Sequence, residues 1–532
     1  MFSSLGFTKP GLSFWSRRCL AMLSLVVMTA GLLSACTTNP VTGKRELSLV
    51  SEQQELAIGK QYYGPYRQAQ GGDYVVDPAL TTYVQSVAQR LVQVSDRKLD
   101  YEFQVINDGT PNAWALPGGK IAIHRGLLLE LNNEAELAAV LAHEIIHAAA
   151  RHSAQSMQRD MLMQGAMMAA NVALADSKHR DLGLLGANLG AKLTGLHFGR
   201  DAEREADLYG IRYMLRAGYD PQAAVALQDT FVRLKNNKQP GWIEGLFASH
   251  PPSQERVQNN RELVRSLGNP GGHLGEAAYQ RATAHLRNTR EAYQQYDQAV
   301  QALAANDTQQ ALALVNQALQ IEPNEALFHG LRGEISQHQG RETEALAHFN
   351  RAIGFNPTYF RYHLARGLLH QQGQRIQAAQ RDLEASLALN PTAEAVFGLG
   401  KIAQLSGDTA TAINYYRQVA KTETDLAKPA GKQLARLDLA NNPAQFLPTQ
   451  LAVEANQRLV VQVQNASQVS VHQVRLWLGE KAGSRVQQET LIRLPHSLAA
   501  GKTVVVPTQI LIPDPATLRR MVVKVDQAQV LE

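Results

Sequence analysis

The sequence predicts a multidomain protein: an α+β domain that is mainly helical, then an all-α repeat solenoid, then a small all-β sandwich. Three observations carry this. The run His143-Glu144-Ile145-Ile146-His147 lies inside an apolar helical stretch, Pro323, Pro357 and Pro391 recur every 34 residues, and from Leu447 the apolar positions take on the alternation of strands. At 532 residues the chain is too long for one core. The boundaries read as a leader at 1–35, the helical domain at 36–275, the repeats at 276–435 and the strand domain at 436–532.

The leader has the form of a bacterial lipoprotein signal. Arg17-Arg18 precede an apolar run from Cys19 to Leu33 that is too short to remain as a membrane span, and the run closes on Leu33-Ser34-Ala35-Cys36. Cys36 is expected to become the acylated first residue, and Thr37 after it, rather than Asp, resembles lipoproteins sent on to the outer membrane. Several acyl chains on one cysteine make a stable anchor. Cys19, the only other cysteine, would leave with the leader, so no disulfide remains and stability must come from cores. The net charge of +5 is modest and no Lys/Arg-rich block occurs, which speaks against a nucleic-acid partner.

In the second element, Asn133-Glu134-Ala135-Glu136 supplies a helix cap, and Leu137, Ala138, Val140, Leu141 and Ile145 supply a wide apolar face. Residues four apart stack on one face of a helix, so His143 and His147 offer imidazole nitrogens to one zinc ion, while Glu144 projects sideways toward the attacking water. Two core histidines beside a half-buried, partnerless Glu144 would be a costly alternative. A catalytic zinc needs a third side chain and one open position. Glu203 is the candidate, in Asp201-Ala202-Glu203-Arg204-Glu205-Ala206-Asp207, with Asp207 four residues on and free to accept from a ligand histidine's other nitrogen. Spacing alone leaves this level with a solvated acidic face at a helix start. His124, His152, His179 and His197 are further histidines without comparable spacing, and His152 falls off the ligand face.

The repeat region keeps a strict register. Ala311, Ala345 and Ala379, then Leu319, Ile353 and Leu387, precede the three prolines at fixed offsets, Ala318, Ala352 and Ser386 keep the helix crossings close, and Gly340, Gly373 and Gly407 mark turns. This is the tetratricopeptide (TPR) signature, with about three to four repeats between Tyr293 and Val419, and stacked repeats recognise peptides or partner proteins. In the tail, strands are expected over 459–463, 469–471, 474–478, 503–506, 510–512 and 522–525, with no catalytic constellation.

His143-Glu144-xx-His147 with Glu203-xxx-Asp207, the lead-in Asn112-Ala113-Trp114-Ala115-Leu116-Pro117-Gly118-Gly119 and the start Asn39-Pro40-Val41-Thr42-Gly43 resemble the M48 family of zinc metalloproteases, and more closely its BepA-like periplasmic branch of TPR-containing proteases and chaperones. The resemblance covers residues 37–270 by motif and extends to about 430 by architecture; the strand-rich tail departs from it. It implies a zincin-type domain with one zinc ion per chain, Glu203 as third ligand and Glu144 as general base. It also matches His250, in Ser249-His250-Pro251-Pro252, to a histidine able to take the fourth position and hold the enzyme closed, although from the residues alone it is equally a surface histidine on a loop.

The expected activity is therefore zinc endopeptidase at the periplasmic face of a Gram-negative outer membrane, held there by a lipid anchor. Expected substrates are unfolded or misassembled outer-membrane proteins, with the assembly machinery as a TPR partner. The rival is a TPR chaperone or scaffold with a structural or latent metal. Lys120 to His124 reads either as a substrate-facing edge strand or as a buried central one. Met157, Met161, Met163, Met167 and Met168, followed by several glycines, read either as core filler or as a lid that meets hydrophobic substrate.

Overall fold

A computed structural model describes residues 36–159, 198–236, 246–482 and 485–531, which form two compact units, Met1–Phe328 and His329–Glu532. The expected leader, four of the five methionines of the lid reading, His179 and His197 lie outside the described residues; Met157 is buried. No described helix is long and apolar enough to cross a membrane.

The first unit opens on a hairpin of β1 (Cys36–Thr38) and β2 (Arg45–Leu47). Asn39 makes its turn: the side-chain oxygen accepts from the Val41 and Thr42 N–H groups at 2.9 and 3.2 Å, and Gly43 takes the left-handed conformation that closes it. A three-stranded sheet follows in the order β3 (Glu102–Ile106), β5 (Lys120–His124), β4 (Ala113–Leu116). Gly118 and Gly119, both at positive φ, reverse the chain so that β4 runs antiparallel to β5, while β3 runs parallel on the other side. The edge reading of Lys120–His124 is thereby corrected: β5 is central and buried along its whole length, and β4 is an edge. Sequence pattern does not distinguish the two, because a short apolar run suits either place.

Helix Glu134–Ala149 packs on this sheet, Arg200–Arg216 packs beside that helix, and the two carry the polar motif. The unit ends in paired helices, Arg290–Ala304 and Thr308–Ile321.

The second unit continues with helices Glu342–Phe355, Phe360–Gln372, Ile376–Leu389, Ala393–Leu405, Thr409–Val419 and Ala427–Asp438. Ala345 and Ala379, and Ala352 and Ser386, are fully buried, which is where the register put small residues. Gly340 and Gly407 turn at positive φ; at Gly373 the left-handed residue is instead its neighbour Gln374, φ 58°.

The tail is two open antiparallel sheets around one apolar core. β7 (Arg458–Gln464) lies between β10 (Thr503–Leu511) and β6 (Thr449–Val453), and β8 (Val471–Ala482) lies between β11 (Met521–Val530) and β9 (Arg485–Arg493). Leu459, Val461 and Val463 of β7 share that core with Val474, Leu476 and Leu478 of β8. Neither β6 nor β9 was among the expected strands.

Candidate metal centre

Both motif helices are positioned by their first residues. Asn133 caps Glu134–Ala149 by accepting from the Glu136 N–H at 2.9 Å, and Glu136 reaches back to the Asn132 N–H at 2.8 Å. Arg200–Arg216 carries Asp201 and Glu203 in its first turn, where the helix dipole favours carboxylates, and stops at Gly218, φ 82°.

One turn apart, His143 and His147 bring their Nε2 atoms to 3.0 Å from each other. The Glu203 carboxylate stands 3.5 Å from His143 Nε2 and 3.3 Å from His147 Nε2. His250 adds Nδ1, 3.3 Å from His143 Nε2 and 2.9 Å from Glu203 Oε1. His143, His147, Glu203 and His250 thus offer four donor atoms all within 4.8 Å of one another. Zinc bonds of about 2.0–2.2 Å in a tetrahedron set donors roughly 3.3 Å apart, so this set has the right chemistry and size for such an ion. Field direction agrees. Burial opposes a positive charge on His143, yet Glu203 and Asp207 outweigh it and push its pKa up to about 10, so the site favours a cation where that proton sits.

Glu144 lies beside this group, almost fully buried, with Oε1 3.5 Å from His250 Nε2 and Oε2 without a hydrogen-bond partner among the described residues. Burial raises its pKa. Asp207 Oδ1 stands 3.1 Å from His143 Nδ1, and Arg256, from the helix Gln254–Ser266, donates to both Asp207 oxygens at 2.7 Å. The guanidinium also places Nη1 2.9 Å from Glu203 Oε2. Burial works to raise the Asp207 pKa, but Arg256 reverses it.

The sequence set His152 off the ligand face. It does not join the four donors, but its Nδ1 lies 3.0 Å from His147 Nδ1. The reason is a break in the helix: Arg151 is left-handed, φ 62°, and swings His152 behind His147. Glu205 stands 3.4 Å beyond His152, and Phe198 stacks on the His147 ring at 3.9 Å between centroids. His124 is remote from the group, its Nδ1 at Thr110 O and its Nε2 at Gln70 Oε1. Cys36 opens β1, its backbone paired with Leu47. Sequence reasoning missed the contacts of Arg256, His152, Glu205 and Phe198, which arise from packing between segments far apart in sequence, and for His152 on His147 from the helix break, rather than from local spacing.

Residues 78–264, which contain every side chain of this cluster, match the model of peptidase family M48. The chain carries an M48 peptidase domain. Behind the M48 domain, residues 296–360 and 364–425 match the tetratricopeptide repeat. The chain is similar to the beta-barrel assembly-enhancing protease of Escherichia coli K12, 28% identical over 356 residues, 61% of this chain and 72% of that protein. It is 32% identical to the putative beta-barrel assembly-enhancing protease of Vibrio cholerae over 41% of this chain and 46% of the relative. With the mitochondrial metalloendopeptidase OMA1 of Schizosaccharomyces pombe it shares 33% identity over 42% of this chain and 65% of the relative. An M48 domain joined to TPR helices makes this chain a metalloendopeptidase equipped for recognition through its repeats.

Proposed function

We propose that this chain is a periplasmic zinc endopeptidase, tethered to the outer membrane through Cys36, that degrades misfolded or misassembled outer-membrane proteins. Its domains run 36–275 for the peptidase, 276–435 for the repeats, which take substrate or a partner in the assembly machinery, and 436–532 for the tail. The single observation that carries the activity is Glu144: a nearly inaccessible carboxylate with one unpartnered oxygen, set beside four converging donors. The leader residues and the name of the Escherichia coli relative support the location and the substrates.

His143, His147 and Glu203 hold the zinc ion, and Asp207 and Arg256 fix the His143 ring. When bound, zinc supplies a charge that activates water and polarises the scissile carbonyl. Glu144 takes the proton of the attacking water and gives it to the leaving amine; burial raises its proton affinity, which suits a group that must do both.

A second reading, a TPR chaperone with a latent metal, draws on His250, whose Nδ1 closes the donor set to four side chains as in structural sites. We read it as the closed state of the enzyme, because His250 sits at a loop before Pro251-Pro252 and can leave while three donors remain. Zinc content and cleavage of a loosely folded protein, compared between wild type and Glu144→Gln, test the proposal. Equal zinc with turnover lower by about 100-fold or more is expected; equal turnover removes the peptidase mechanism. Mass spectrometry of the protein from membranes tests the anchor, and an unacylated Cys36 removes it.

A further inference from the structure

The two candidate ligand histidines are backed differently. His143 turns its outer nitrogen to a carboxylate, whereas His147 turns Nδ1 to the Nδ1 of another imidazole, His152, at 3.0 Å. We infer that His152 is a positioning residue for His147, and that the hairpin following Cys36 is the outer end of the same chain of contacts. The inference rests on His147 being a metal ligand.

Proton placement leaves one arrangement. With His147 Nε2 facing the ion, Nδ1 carries the hydrogen and donates, so His152 Nδ1 must accept. The remaining hydrogen of His152 then sits on Nε2, which points at Glu205 Oε2, 3.4 Å away. Lys44 donates to the other Glu205 oxygen at 2.9 Å. Both imidazole N–H groups thus point away from the ion, the carboxylate accepts from either side, and the ring of His147 is fixed in orientation and tautomer.

The backbone is bent to make this contact. In a continuous helix a residue five places after His147 lies well round the cylinder from it. Left-handed Arg151 breaks the helix instead, at a cost of roughly 1–2 kcal/mol for a side-chain-bearing residue. Two contacts retain it there: Nε donates to buried Glu55 at 2.7 Å and Nη2 to Val50 O at 2.8 Å. His152 itself is 1% exposed, with both ring nitrogens engaged.

The hairpin is fastened to the same helix end. Asn39 Nδ2 donates to Ala150 O at 3.1 Å, and Gln155 Nε2 donates to Glu46 at 2.6 Å. Asn39-Pro40-Val41-Thr42-Gly43 is therefore the turn that holds Lys44 over Glu205, with the Asn39 N–H donating to Lys44 O at 2.8 Å.

Zinc affinity of the full chain, measured by competition with a chromophoric chelator, reads this without relying on activity. His152→Leu is expected to weaken zinc binding by about 10- to 100-fold. His152→Asn recovers most of the loss, because its side-chain oxygen stands where Nδ1 stood and accepts from His147. Glu205→Ala weakens binding less than His152→Leu, and Lys44→Met less again. Ser153→Ala, equally buried but facing Ala115 O, leaves affinity unchanged. Unchanged affinity in folded His152→Leu, or no recovery in His152→Asn, overturns the inference. If His152→Leu does not fold, Glu205→Ala decides: its side chain is 20% exposed, its removal opens no core, and wild-type affinity there overturns the chain of contacts. Wild-type affinity in His147→Ala sinks the ligand assignment instead, a separate failure.

Discussion

Arg256 grips Asp207 by both carboxylate oxygens, 2.7 Å each, while Asp207 Oδ1 lies 3.1 Å from His143 Nδ1. The same guanidinium lies 2.9 Å from Glu203, so one buried cation faces two buried carboxylates. Arg256→Met is expected to strand both charges and lower stability by about 3–5 kcal/mol in the absence of metal. Added zinc restores part of the loss, since a divalent ion beside Glu203 supplies the missing charge. Chemical denaturation with chelator and with zinc measures both quantities. Arg256→Lys is not expected to rescue, because a single ammonium cannot match the paired carboxylate contacts.

His250 shares Glu203 with His143 and His147 and stands 3.5 Å from Glu144 through Nε2. His250→Ala removes one donor and leaves three. Zinc retention with weaker affinity, together with faster cleavage of a loosely folded protein, is expected. Turnover that stays the same or falls, with zinc still bound, removes the closed-state role of His250.

Among the repeats, Asp382 gives a pH test that involves none of the candidate metal-centre side chains. Burial works to raise its pKa, but Arg366, donating to its two oxygens at 2.7 and 2.6 Å, and neighbouring His363 hold it down at about 2. A depressed carboxyl contributes stability that is fully present above the unfolded value near 3.8 and is lost as pH falls through the folded value. Wild type is therefore expected to lose thermal stability faster than Asp382→Asn between about pH 4 and pH 2. Parallel melting curves over that window contradict the ion pair.

What was readable in advance divides along physical lines. His143 and His147 were legible because ligand spacing on one helix is a local property, and the TPR register because it repeats. Glu203 lies 56 residues from His147 in sequence, and spacing could not choose between ligand and acidic helix start; resemblance did. The contact of His152 with His147 was not legible because nothing in Ala150-Arg151-His152 signals a left-handed arginine, which depends on Glu55 reaching it from another helix. The place of β5 in its sheet is a matter of pairing, which an apolar run does not encode. Arg485–Arg493 escaped notice because most of its residues are polar, and the strand is defined by backbone pairing to β8.

Within the repeats, glycine is expected to matter more by the space it leaves than by its flexibility. Gly333, in helix Ala326–His338, stands where a methyl group would come within 2.7 Å of Phe349 Cε1, and Phe349 is 1% exposed. Two effects compete in Gly333→Ala. The better helix former gains about 1 kcal/mol, while forcing a buried ring aside costs about 1–3 kcal/mol. A ring at that distance, seated among Ala345 and Leu369, has no solvent to move into, so the packing cost wins and the variant is less stable. Gly354, in helix Glu342–Phe355, has nothing within 4 Å of the same position. Gly354→Ala is therefore expected to raise stability by up to about 1 kcal/mol. Denaturation midpoints of the two single variants test this directly: opposite signs are required, and stabilisation by both would mean that the helices at Gly333 are not packed as closely as the structure places them.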